Sequence, residues 1–161
     1  EFLVQMAAMY ILGDFCFYWG HRLQHRNKVL WRHFHSKHHS VITPSPVSTG
    51  YINAGDVFIN ATLPTIIAGV TVQAHPFSFA AYVMTHVAEN ILNHCGMESP
   101  ILSFLSGKCL PGRAPSALHD SHHHFGNYSG CCKNLGENFW WWDYYFGTFA
   151  PCRGTGWNKD D

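Results

Sequence analysis

The sequence predicts an all-α protein with about three membrane spans beneath a cytosolic, histidine-rich helical cap. Three observations carry this expectation: apolar runs nearly free of charge, histidines clustered at helical spacing, and basic residues confined to one side of the runs. Hydrophobic residues make up 47% of the chain and charged residues 12%, about half the usual charged share of ~25%, which leaves little to solvate a large surface. Net charge is zero with histidine neutral, so the composition offers no basic face for nucleic acid.

The apolar runs cover residues 2–19, 57–73 and 77–92. At about 1.5 Å per residue, each falls just short of the hydrocarbon thickness of a bilayer. The alternative is a set of core helices in a soluble α-protein. Asp14, Asn60, Pro64, His86 and Glu89 interrupt the runs, and such groups are costly inside a span unless they face a functional interior. Arg22, Arg26, Lys28, Arg32 and Lys37 all follow the first run, which places that loop in the cytosol by the positive-inside rule. A hairpin turning at His75 and Pro76 then returns the chain to the same face near Asn93, so the clustered histidines share one side of the membrane. Residues 100–115, with Pro, Gly and Ser at short intervals, read as irregular loop. Ser116 begins a helix, and residues 138–149 form an aromatic amphipathic stretch suited to a membrane interface.

Thirteen histidines are the sharpest anomaly. They form His21-x-x-x-His25, His35-x-x-His38-His39 and His119-x-x-His122-His123. Residues three or four apart share a helix face, so each cluster aims two or three imidazoles at one point. Eight imidazoles exceed the three or four that a zinc ion takes, so two metals are implied. An all-nitrogen set excludes calcium and magnesium and leaves iron first and zinc second. His94, at the end of the third run, is a ninth candidate, and His86, two turns deeper, a possible tenth. Asp14 and Tyr18 lie on one stripe with His21 and His25, where Asp14 could orient a ligating ring; Glu89 is a further candidate for that role. His33, His75 and His124 have the wrong spacing or position. The six cysteines contain no CxxC pair; Cys109, Cys131, Cys132 and Cys152 fall on the cytosolic side and are expected to be free thiols. The chain opens on Glu1 and runs straight into an apolar stretch, which reads as a fragment rather than a signal peptide.

The order Asp14-x-x-x-Tyr18-Trp19-x-His21-Arg22-x-x-His25, Leu30-Trp31-x-x-x-His35-x-x-His38-His39, Asn93-His94-x-Gly96, His119-Asp120-x-His122-His123, Asn127-Tyr128 and Trp142-Asp143-x-x-Phe146-Gly147-Thr148 resembles the fatty acid hydroxylase and sterol desaturase superfamily. The resemblance spans residues 14–148 and implies one fatty acid hydroxylase-type domain over residues 1–161. It further implies a di-iron centre held by His21, His25, His35, His38, His39, His94, His119, His122 and His123, with electrons arriving through cytochrome b5 or a reductase. Where sterol C4-methyl oxidases often carry a His-Pro pair, this chain reads Asn53-Ala54, which weighs against that subgroup. The expected activity is O2-dependent hydroxylation or desaturation of a C–H bond in a sterol or fatty acyl chain, in the endoplasmic reticulum membrane. The alternatives are a zinc-dependent membrane lipid hydrolase and a non-catalytic metal-binding relative.

Overall fold

The computed structural model describes residues 1–97, 99–125 and 132–150, and among them it is all-helical, with one isolated β-bridge between Arg113 and Phe139. Helix α1 is Phe2–Arg26, α2 is Ala54–Thr71, α3 is Pro76–Asn93, α4 is Pro100–Leu105, α5 is Ser116–Phe125 and α6 is Trp141–Tyr145. α2 is composite, with a π-helical turn at Phe58–Thr62 between two α-helical pieces. A second π turn, Trp31–His35, and a 3-10 turn, His38–Ser40, follow α1.

α2 and α3 turn mainly polar or small side chains inward and apolar ones outward, while α1 buries Met9, Phe17 and Tyr18 beside Asp14, His21, Gln24 and His25. α2 buries Asp56, Asn60, Pro64 and Ala68, a stripe repeating every four residues. α3 buries Ser78, Tyr82, His86, Glu89 and Asn93. Their outer faces expose Phe58, Ile66, Val70, Phe77, Met84 and Val87. A soluble core helix would be mostly buried, whereas only 28% of the apolar window of α1 and 22% of that of α2 is covered by protein. That pattern suits lipid as the outer solvent, and the chain is a membrane protein.

α1 packs against both α2 and α3. The contact is close at Gly13, where an added Cβ would lie 2.2 Å from the Tyr82 hydroxyl. Met9, Ala68 and Tyr82 form the core at this level. Beyond it, α2 ends and α3 starts at the predicted hairpin: the His75 ring accepts a hydrogen bond from Phe77 N, and the Gln5 side chain accepts one from His75 N. The turn therefore sits beside the start of α1, and the histidine clusters gather at the opposite end.

Two expectations change. Residues 100–115 are not uniformly irregular, because Pro100 opens α4 as its first residue, where its missing N–H costs nothing. The third run forms the 18-residue helix α3, but among the described residues only α1 and α2 are long and apolar enough to cross a membrane. His86, Glu89, Asn90 and Asn93 make the second half of α3 too polar.

Candidate metal centre

The imidazoles converge in two adjacent groups. His21, His25, His35, His39 and His122 form one, and His38, His94, His119 and His123 the other; within each group one ring nitrogen per residue lies within 4.8 Å of all the rest. The grouping follows from helical geometry. On α1 and α5, residues four apart are offset by only about 40° around the axis, and chain neighbours by about 100°. His21 and His25 therefore share a group, as do His119 and His123, while His122 turns to the other. The π turn ending at His35 and the 3-10 turn at His38 divide the second cluster likewise: His35 and His39 go to the first group and His38 to the second. All nine rings are buried.

Most of these rings are oriented from behind. His21 Nδ1 donates to the Leu135 carbonyl at 2.8 Å, His122 Nδ1 to the Lys133 carbonyl at 2.8 Å, and His94 Nδ1 to the Asn90 carbonyl at 2.8 Å. His123 Nδ1 donates to the Val41 carbonyl at 3.1 Å, and His35 Nδ1 to the Asp56 carboxylate at 2.9 Å. A carbonyl can only accept, so Nδ1 carries the proton and a neutral ring turns the Nε2 lone pair inward. Burial and the neighbouring imidazoles push His38, His39, His119 and His122 well below the ordinary imidazole range, and His123 down to about 3; burial also lowers His94. Neutral rings are the state that metal ligation requires.

The inward nitrogens are close. His21 and His35 Nε2 are 3.0 Å apart, His39 and His35 Nε2 3.0 Å, and His119 and His94 Nε2 3.0 Å. In the His21–His35 pair both Nδ1 atoms donate, so the two Nε2 lone pairs face each other at 3.0 Å and repel unless a cation lies between them. Two bonds of about 2.0–2.1 Å at a right angle would separate their nitrogens by about 3 Å. His123 Nε2 is buried and has no hydrogen-bond partner, as a donor awaiting a metal would be. The residues present therefore fit a pair of imidazole-bound metal ions.

The segment after α5 holds the carbonyls in place. Asp143 accepts from the backbone N–H groups of Leu135 and Gly136 at 2.6 and 2.8 Å and from the Thr148 hydroxyl at 2.8 Å. Arg22 donates to the Tyr18 hydroxyl, which lies 2.8 Å from Thr148 Oγ1. This chain of contacts aims the Leu135 carbonyl at His21.

Several expectations about the surroundings are corrected. Asp14 does not orient an imidazole; its carboxylate accepts from the backbone N–H groups of Asn138 and Phe139 at 2.8 and 3.0 Å. Tyr18 faces Thr148 and Arg22 rather than a histidine nitrogen. Glu89 pairs with Arg113 at 2.5 Å. His86 lies outside both groups, with Nε2 3.7 Å from Glu137 and its ring stacked on Tyr82. The orienting carboxylate is Asp56, one residue before the apolar run that starts at Val57. The i, i+4 relation of Asp56 and Asn60 was its only signal in the sequence. His33, His75 and His124 are exposed. Cys16, Cys95, Cys109 and Cys132 are free thiols; Cys131, Cys152 and the Asn127-Tyr128 motif lie outside the described residues.

A cavity of about 180 Å³ adjoins both groups. His21, His35, His38, His94 and His119 line one side; Phe17, Ile52, Val57, Ala61 and Val87 supply apolar wall. Val57 and Val87 are also exposed on the outer surface of the bundle, so the cavity lies against the layer where lipid would be.

Comparison with known proteins agrees with this arrangement. Methylsterol monooxygenase 2-2 of Arabidopsis thaliana is 29% identical over 153 residues, covering 92% of this chain and 53% of the relative. Very-long-chain aldehyde decarbonylase GL1-11 of Oryza sativa subsp. indica is 30% identical over 154 residues, covering 92% and 53%. Methylsterol monooxygenase 2-1 of Arabidopsis thaliana is 30% identical over 158 residues, covering 89% and 55%. The chain thus spans about half the length of the curated relatives it matches. No solved structure matches. The family model described as fatty acid hydroxylase matches residues 6–148, and the chain belongs to the fatty acid hydroxylase family.

Proposed function

We propose that this chain carries the di-iron centre of a membrane-bound oxygenase that hydroxylates or desaturates a C–H bond of a lipid. The observation that supports it most directly is the convergence of nine buried imidazoles, Nε2 inward, on one side of an apolar cavity at the end of the spans. In this reading His21, His25, His35, His39 and His122 hold one ion, and His38, His94, His119 and His123 the other. Zinc would fit the same donors. Bound iron would supply the reduction of dioxygen and the removal of hydrogen from an unactivated carbon.

The protein's own part is binding, orientation and exclusion of water. Phe17, Val57, Ala61 and Val87 receive a hydrocarbon segment from the bilayer and hold its reacting carbon beside the imidazoles, which is the positioning on which selectivity depends. Thr49, Asn60 and Asn90 give the same cavity a polar side. Arg22, Arg26, Lys28, Arg32 and Lys37 cluster at the histidine end, which supports a cytosolic orientation, in the endoplasmic reticulum membrane. That face is open to an electron donor of the cytochrome b5 or reductase type.

Relatives named as methylsterol monooxygenases and as aldehyde decarbonylases are about equally similar, so both a methylsterol and a long-chain aldehyde belong in the assay. The test is metal analysis of protein purified without oxygen, followed by oxygen uptake with a reductant and each lipid. Iron with lipid-dependent oxygen uptake supports the reading. Zinc with lipid hydrolysis, or metal binding without turnover of any lipid, would replace it with a hydrolase or a non-catalytic relative. His38→Ala and His122→Ala should each lose the ion of their own group, and turnover with it; full turnover in either would refute the ligand assignment.

A further inference from the structure

His35 is the hub of the five-imidazole group, with its Nε2 3.0 Å from His21, 3.1 Å from His25 and 3.0 Å from His39. Among the described residues it is also the one ring of the nine backed by a carboxylate. Four others rest on carbonyls, and the Nδ1 atoms of His25, His38, His39 and His119 have no hydrogen-bond partner. Asp56 is itself fixed. Its Oδ1 accepts from the Asn60 amide at 2.8 Å, and the same amide reaches Gln24 Oε1. Gln24, Asn60, Asp56 and His35 are all buried. The two π-helical turns meet here: His35 ends the first, and the second begins two residues after Asp56. Such wide turns recur at functional sites.

A carboxylate behind an imidazole fixes its tautomer and ring orientation and raises the basicity of the ligating nitrogen. It also places a negative charge beside a site whose other ligands are neutral. Among the described residues, no carboxylate backs a ring of the four-imidazole group. We propose that Asp56 is a positioning residue that makes the two sites unequal, so that the five-imidazole site holds its metal ion more tightly than the four-imidazole site. The proposal rests on reading both groups as metal sites.

The test is an oxygen-free titration of the metal-free chain in detergent with ferrous iron and, separately, with zinc, reading bound metal by elemental analysis. Two steps are expected, separated by about tenfold or more, with His94→Ala removing only the weaker. Asp56→Asn should weaken the tighter step by about 10–100-fold while leaving the weaker one in place, and Asp56→Glu should restore part of the loss. An Asp56→Asn protein with both steps unchanged, or both weakened equally, would overturn the proposal. If that variant does not accumulate, Asn60→Leu frees the carboxylate without removing it and should weaken the same step; no change there would be equally fatal. Wild-type protein that binds neither metal would instead defeat the metal-centre reading itself.

Discussion

His122 and His123 are neighbours in the chain, yet they belong to different imidazole groups: His122 Nε2 lies 3.2 Å from His39, while the His123 ring sits 4.5 Å from that of His38. Substituting one of them should therefore empty one site and spare the other. His122→Ala and His123→Ala are each expected to bind about one metal per chain instead of two, with oxygen-dependent turnover lost in both. Elemental analysis decides it; if either variant loses both metals at once, the sites are not separable in this way.

The buried imidazoles tie the stability of the metal-free protein to pH. The folded pKa of His123, about 3, lies below the ordinary 6.5, so as pH falls the unfolded chain takes up its proton first. This contribution is fully present above about pH 6.5 and is lost as pH falls toward about 3. Glu137 acts in the opposite sense. Burial raises it from 4.5 to about 7, so its contribution is full below about pH 4.5 and lost as pH rises to about 7. Thermal unfolding with chelator across pH 4–8 should show the first slope in the wild type. Glu137→Gln should gain on the wild type as pH rises; a difference independent of pH would contradict the assignment.

Asp14 links the middle of α1 to the backbone 124 residues later. Asp14→Ala removes the acceptor from two buried N–H groups and should cost about 1–3 kcal/mol for each group left unpaired. Because Asp14 touches no imidazole, turnover per bound iron should stay near the wild-type value while thermal stability falls. A variant of normal stability but altered turnover per iron would return Asp14 to a role at the metals.

Ala61 lines the cavity on the lipid side. Ala61→Trp should fill this wall and lower lipid turnover by about tenfold or more, since a small displacement of the reacting carbon is costly. Metal content should stay unchanged. Unimpaired turnover of every lipid tested would show that substrate reaches the imidazoles by another way.

Which histidines come together was legible because the pattern is local: a spacing of four on a helix is nearly one face. How they divide between the two groups was not, since it depends on how the turn at His35–His39 meets α5. The rear contacts were equally hidden. Leu135 and Lys133 act through backbone carbonyls, which carry no residue-type signature, and Asp56 reaches His35 across the cap rather than along a helix. Asp14 and Tyr18 do share a stripe with His21 and His25, but the segment from Cys132 to Thr148 lies over that part of it and engages them instead. α4 was missed because proline reads as a breaker except at a first helical position. The cost of His86 and Glu89 inside the third run is legible in the sequence, but not that together with Asn90 and Asn93 they leave α3 short of a span.

Both imidazole groups draw on His119–His123, and two of the rings lean on carbonyls still further along the chain. During synthesis α1 emerges with His21 and His25 long before these partners exist. The five-imidazole pocket cannot close until the ribosome has passed Leu135 and the four-imidazole pocket not until it has passed His123, while the bracing by Asp143 and Thr148 arrives later again. Loading of the proposed metal centre therefore waits on α5, so a chain cut short after α3 would enter the bilayer without a finished pair of sites.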